Sequence, residues 1–121
     1  MLADRNPEDL YDVVPELGGH APPARIIDKF GHSAFDSPDC VPTLDGMRAR
    51  TIILTGVETD VCVLASMLPA IDLGYYVVLV TDAVTSSSPA GHRSVLDHVV
   101  PRYDQQVDVI DTKTLLRTWK P

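Results

Sequence analysis

Thr51-Ile52-Ile53-Leu54-Thr55-Gly56-Val57-Glu58-Thr59-Asp60-Val61-Cys62-Val63 is the stretch from which the fold is read. Its first part is a continuous run of β-branched residues and leucine stopped by glycine, the pattern of a strand buried on both faces of a parallel sheet. Its second part opens a helical stretch over 60–73, for which Thr59 and Asp60 are natural N-cap residues. Downstream, Tyr75-Tyr76-Val77-Val78-Leu79-Val80-Thr81-Asp82 repeats the strand pattern. A second helical stretch follows over about 89–100, and Val107-Asp108-Val109-Ile110-Asp111 repeats the strand more weakly. The order βαβαβ predicts an α/β fold, three layers around a mainly parallel sheet with right-handed crossovers. Ligands of such sheets bind at the carboxyl ends of the strands. That edge carries Lys29, the turn 55–62 and Asp82.

Upstream of this core the chain is less regular. Residues 1–23 are polar and carry Pro7, Pro15, Gly18, Gly19, Pro22 and Pro23, which predicts a loop or an irregular arm. Ala24-Arg25-Ile26-Ile27-Asp28-Lys29 leans toward β and ends in charge, and a Pro/Asp-rich turn follows Phe35. Pro69 falls inside the first helical stretch and is expected to kink or shorten it. The serines at 86–88 read as a loop into the next helix.

At 121 residues, 45% hydrophobic and 22% charged, the chain is expected to form one domain with its own core. No apolar run approaches the roughly 20 residues of a membrane-spanning helix. The N-terminus has neither the basic start nor the apolar stretch of a secretory signal, so a cytoplasmic location is expected. A net charge of −7 without a local Lys/Arg cluster argues against nucleic acid and anionic membranes as partners. Cys40 and Cys62 belong to no C-x-x-C pair, so neither a zinc site nor a disulfide framework is suggested. His20, His92 and His98 lack metal-ligand spacing, and no cofactor is implied.

The chemistry centres on Cys62. A cysteine in the first turn of a helix meets unpaired N–H groups and a partial positive charge, which favour thiolate over thiol. Against this stands the ordinary role of a free cysteine as a small buried hydrophobe. Cys40, in Ser37-Pro38-Asp39-Cys40-Val41-Pro42, is assigned that ordinary role.

Lys29-x-x-x-Ser33-Ala34-Phe35, then Gly56-Val57-Glu58-Thr59-Asp60-Val61-Cys62-Val63, then Gly74 and Asp82-Ala83 resemble, in order and spacing, the signature of the isochorismatase-like hydrolase superfamily. That group includes nicotinamidases and N-carbamoylsarcosine amidohydrolase. The resemblance covers about residues 10–112 and implies a Rossmann-like sheet. It also implies that Cys62 is the nucleophile and that Lys29 stabilises its thiolate and the charge that develops on the substrate. It further implies a non-proline cis peptide between Val57 and Glu58, an oxyanion hole formed by the N–H groups of Glu58 and Cys62, and a substrate pocket lined by His32 and Phe35. Many relatives carry tyrosine where His32 stands. The histidine at 92 matches one that many relatives place in the helix after the fifth strand, where it packs. Asp82 is expected to cap the loop after its strand.

The resemblance also implies an aspartate base at the end of a first strand, and no such strand is found here. None of Asp4, Asp9, Asp12 or Asp28 ends an apolar strand, and Asp28 would point away from Lys29. The family sheet has the order 3-2-1-4-5-6. Without its first two strands, residues 24–29 lack a neighbour and an edge of strand 51–55 is exposed. A start codon set too far downstream, a fragment, or a short variant dependent on another chain would each account for this, truncation most simply. The metal site of nicotinamidases, an aspartate with histidines upstream of the lysine, is likewise not visible. Two functions follow as expectations. One is a cysteine hydrolase of a small amide, carbamoyl or related substrate, working through a thioester and assembled as a homo-oligomer. The other is an inactive remnant that serves as a binding or oligomer subunit.

Overall fold

The computed structural model describes residues 12–119. Three strands, β1 (Thr51–Val57), β2 (Tyr76–Thr85) and β3 (Val107–Ile110), form one sheet in the order β1-β2-β3. Both pairings are parallel, with Ile52 opposite Val77, Leu54 opposite Leu79, and Leu79 in turn opposite Val109. The helices are α1 (Pro15–Gly18), α2 (Cys40–Gly46), α3 (Leu64–Asp72), α4 (Pro89–Ser94) and α5 (Thr112–Thr118). A wide turn, Thr59–Val63, leads into α3, and α4 continues through Val95–Val99 into a tighter turn, Val100–Tyr103. The βαβαβ order read from residue 51 onward is thus the order observed.

Burial separates the strands. Leu79 and Val80 are consecutive, so they face opposite sides of the sheet, and both are fully buried. β2 is therefore covered on both faces, as a three-layer α/β arrangement requires. The sequence reading assigned full burial to residues 51–56, but β1 is an edge strand among the described residues: Ile52 to Leu54 are half-buried and Thr55 to Val57 exposed. The core is built from Val63, Met67 and Ala70 of the first helical crossover, Val77, Leu79 and Val84 of β2, Val95 and Val100 of the second crossover, and Val107 of β3.

Local chemistry sets the boundaries. At the end of α3, Gly74 takes φ +91°, while the Gly74 N–H donates to the Ile71 carbonyl and the Tyr75 N–H to the Ala70 carbonyl. This paired closure needs a residue tolerant of positive φ. Pro69 does not end the helix, which runs on to Asp72. Ser88 caps α4 by accepting the Gly91 N–H, and Asp111 caps α5 by accepting the Thr114 N–H. The register of β1 on β2 breaks at Gly56, φ +111°: Leu54 pairs with Leu79 but Gly56 with Val84. An advance of two residues along β1 is thus matched by five along β2, and pairing resumes with Val57 opposite Thr85.

Several expectations change. Residues 24–29 form no strand: the segment carries no ladder, and Ile26 and Phe30 are exposed. Its apolar run has no neighbour to pair with, and a strand exists only as a pair. The arm predicted over 1–23 contains the single helical turn α1 among its described residues; positions 1–11 lie outside them. The Pro/Asp-rich turn becomes α2, and α5 was not read at all. Thr59 and Asp60 do not cap. Glu58 holds the N-cap position without a side-chain cap bond.

Candidate functional site

The strand-to-helix turn after β1 carries Cys62 one residue before the buried Val63, so packing of Val63 into the core positions the half-buried thiol beside it. The arm before α2 reaches the same place. Its attachment is specific: the Ala34 N–H donates to Ser66 Oγ at 2.9 Å, and Phe35 packs on the core with its ring centroid 6.1 Å from that of Tyr75. This anchoring brings Lys29 Nζ to 3.9 Å and His32 Nδ1 to 3.6 Å from Cys62 Sγ. Lys29 Nζ also donates to the Gly31 carbonyl at 2.7 Å, which fixes the end of its side chain.

Lys29, Phe35, Cys62, Leu54, Thr55 and Val57 are among the residues lining a cavity of about 280 Å³ whose wall is mostly apolar. His32, expected to line the pocket, is not among its wall residues; it contacts the Cys62 thiol instead. A larger cavity, about 530 Å³, lies between residues 25–27 and α2 and has no cysteine in its wall. The peptide between Val57 and Glu58 is cis. The Glu58 carbonyl accepts the N–H of Val61 and the N–H of Val63, each at 3.1 Å, so both neighbours of Cys62 are tied to it. Cys40 is buried, and burial pushes its thiol pKa up, in keeping with a small packed hydrophobe.

The turn is braced by residues whose role the sequence did not disclose. Ser86 donates its hydroxyl to Asp60 at 2.6 Å. Ser87 donates its hydroxyl and, at 2.7 Å, its N–H to the Glu58 carboxylate. Thr59, fully buried, pairs its hydroxyl with His92 Nδ1 at 2.7 Å. A Cβ at Gly91 would run into the Asp60 carboxylate, so glycine lets α4 come this close. The visible signal was the run Ser86-Ser87-Ser88; its partners, nearly thirty residues away, were not. His92, expected only to pack, makes a buried polar contact. Asp82 lies within β2 and accepts both the N–H and the hydroxyl of Thr112 at 2.8 Å, so it ties down the start of α5 and not the loop after its own strand.

Two predictions arise here. Thr59→Val leaves a half-buried imidazole nitrogen without its partner, a loss of about 1–3 kcal/mol; urea unfolding should show it, while Thr59→Ser stays near the parent. The second concerns acid. The Ser87 hydroxyl and N–H hold Glu58 below the usual carboxylate range, Thr112 does the same for Asp82, and Thr114 for Asp111. A carboxylate depressed in the folded state stabilises the fold above its unfolded pKa and loses that contribution as pH falls through its folded pKa. The urea midpoint should therefore hold at neutral pH and decline from about pH 4 downward.

Asp4 and Asp9 lie outside the described residues, and Asp12 and Asp28 are exposed. Among the described residues no group of three His, Cys, Asp or Glu side chains could hold a metal ion. No helix among them is long and apolar enough to cross a membrane.

Comparison with known proteins gives a consistent result. The isochorismatase domain model matches residues 3–114. The isochorismatase domain-containing protein 2 of Xenopus laevis is 32% identical over 91 residues, which are 73% of this chain and 42% of that protein. Among solved structures, the nicotinamidase of Bacillus subtilis superposes with a TM-score of 0.67 at 30% identity, covering 74% of this chain and 49% of that one. An isochorismatase-like hydrolase from Alkaliphilus metalliredigens gives 0.69 at 26% identity, covering 78% and 50%. The chain thus spans about half the length of the relatives it matches.

Proposed function

Because the chain belongs to the isochorismatase family, we propose that it is a cysteine hydrolase of a small amide, carbamoyl or related compound, acting through a thioester at Cys62. One observation carries this reading: the Cys62 sulfur stands in the wall of a substrate-sized cavity with the Lys29 ammonium 3.9 Å away. A cation at that distance favours the thiolate and then the anionic tetrahedral intermediate. Sγ attacks the carbonyl carbon, and the electron pair of the C=O bond moves to oxygen. In this reading the N–H groups of Glu58 and Cys62 receive that oxygen. Collapse expels the amine as it gains a proton, and water resolves the thioester to the acid and the free thiol. Phe35 supplies an apolar wall for the substrate.

Ammonia release from a panel of small primary amides and N-carbamoyl compounds tests the proposal. The solved neighbour named as a nicotinamidase makes nicotinamide the first compound to try. Turnover should be accompanied by an acyl adduct on the Cys62 peptide in quenched samples. No ammonia and no adduct across the panel would sink the proposal.

A second reading, a binding or oligomer subunit, is favoured by β1, whose outer edge has no strand partner among the described residues. Such an edge is a template for another chain, and a homo-oligomer is the form proposed. Light scattering that finds only monomer at micromolar concentration would remove this second reading.

A further inference from the structure

We infer that Thr59 and His92 are a positioning pair for the oxyanion site, keeping the N–H groups of Glu58 and Cys62 aimed at one oxygen. The inference rests on the hydrolase reading above and assigns the residues that hold that reading's site in shape. Side chains at three consecutive positions of the turn, 58, 59 and 60, are each bonded to the segment 86–92 that opens the second crossover. The backbone transmits this hold to both N–H groups. The Glu58 carbonyl accepts the N–H of Val61 and that of Val63, passing over Cys62 between them. That carbonyl and the Thr59 N–H belong to one planar peptide, so a turn of Thr59 swings the groups on either side of Cys62.

Burial singles out one tether of the three. Ser87 is exposed, so water can replace its bonds to Glu58, and the Ser86 to Asp60 bond is only part-buried. Thr59 is fully buried, and its hydroxyl depends on His92 Nδ1 at 2.7 Å. A hydroxyl can donate or accept, so the contact persists in either tautomer of the imidazole. His92 is in turn fixed by its helix: its N–H donates to the Ser88 carbonyl at 2.9 Å, and Val95, three residues on and on the same face, is buried in the core. Neither Thr59 nor His92 lines the cavity, so the pair acts on the reaction through the turn.

An aldehyde reads the oxyanion site apart from the thiol. Cys62 Sγ adds to the aldehyde carbon, the π pair of the C=O bond moves to oxygen, and the S–H proton goes to that oxygen. With no leaving group the adduct stops at the tetrahedral stage, its oxygen in the place of the oxyanion. Iodoacetamide instead alkylates sulfur with loss of iodide and a proton, and forms no tetrahedral oxygen.

Iodoacetamide labelling of the full chain at neutral pH, with and without benzaldehyde and read by mass spectrometry, measures both. In the parent protein Cys62 should label faster than buried Cys40, and benzaldehyde should protect Cys62. His92→Leu should raise the benzaldehyde concentration for half-protection by roughly 10- to 100-fold, the scale on which misplacing a reacting group costs. Its labelling rate without benzaldehyde should stay near the parent's. His92→Asn, which keeps a hydrogen-bonding atom where Nδ1 stands, should restore most of the protection. The isosteric Thr59→Val should match His92→Leu, with slow Cys40 labelling as the check on folding.

Equal half-protection in the parent and His92→Leu overturns the inference. His92→Asn as weak as His92→Leu overturns it too, because that assigns the imidazole to packing. A fall in labelling without benzaldehyde as large as the loss of protection assigns the pair to the fold, as does fast Cys40 labelling in both His92→Leu and Thr59→Val. Fast Cys62 labelling that benzaldehyde leaves unprotected in the parent removes the oxyanion site that the pair would position. Parent Cys62 as slow as Cys40 sinks the hydrolase reading itself, and this inference with it.

Discussion

Cys62→Ala is expected to reduce ammonia release by on the order of 10³-fold or more, because removing the nucleophile of a covalent mechanism leaves only binding and oxyanion stabilisation. The cavity offers no replacement. The other hydroxyl and thiol groups in its wall are Thr55, Ser66 and Cys40. Ser66 Oγ accepts the Ala34 N–H, and Cys40 is buried with its pKa raised. Thr55 lies on β1 beyond the last residue in regular register with β2, and neither Lys29 nor His32 is bonded to it. The substitution should not harm the fold, since alanine suits the first turn of a helix and Cys62 is only half-buried. Equal urea midpoints of parent and variant would establish that the loss is chemical. Retained turnover in a folded Cys62→Ala protein would refute the thioester route.

The second large effect concerns stability. Leu79→Ala should cost about 2–5 kcal/mol, the range for deleting a fully buried leucine whose surroundings cannot close the gap. Leu79 is fully buried at the middle of β2, opposite Leu54 on one side and Val109 on the other. Its neighbours in the core belong to both crossovers and all three strands have residues packed there, so collapse around the cavity is restricted. A domain of this size holds about 5–15 kcal/mol in all. The variant should therefore unfold at a clearly lower urea midpoint with an unchanged slope. A loss below about 1 kcal/mol would mean that the core is less tightly filled than the burial of Leu79, Val80 and Met67 implies.

The strands and crossovers from residue 51 onward were legible because their signal is local: each strand is one apolar run, and each helix start follows a glycine or a serine-rich loop. Cys62, Lys29 and Phe35 were legible through spaced motifs, and the structure brings these three together. What escaped was pairwise. Ile26 and Ile27 have the composition of a strand, but composition cannot supply the neighbour that makes one. The full burial expected of residues 51–56 failed for the same reason, since an edge position is set by what lies beside the strand. The bonds from Ser86, Ser87 and His92 to residues 58–60 depend on how the second crossover returns over the first. No spacing rule encodes them. His32 was expected in the pocket wall, where it does not lie; it comes beside the thiol on the arm that the Ala34 to Ser66 bond anchors.

Cys62 and the two side chains beside it are held in different ways. Cys62 rides on a helix start braced by three polar tethers and packed on β2, whereas residues 24–33, which include Lys29 and His32, belong to no sheet ladder. Exchanges in that arm leave Leu79, Val80 and Met67 untouched, so they cost the core little. Under the proposed function, what faces the thiol can accordingly be exchanged in one short segment while the thiol stays where it is. Under that proposal, the reactive atom is housed in the part of the molecule fastened to the core, and the choice of what it meets in a part that the core does not hold.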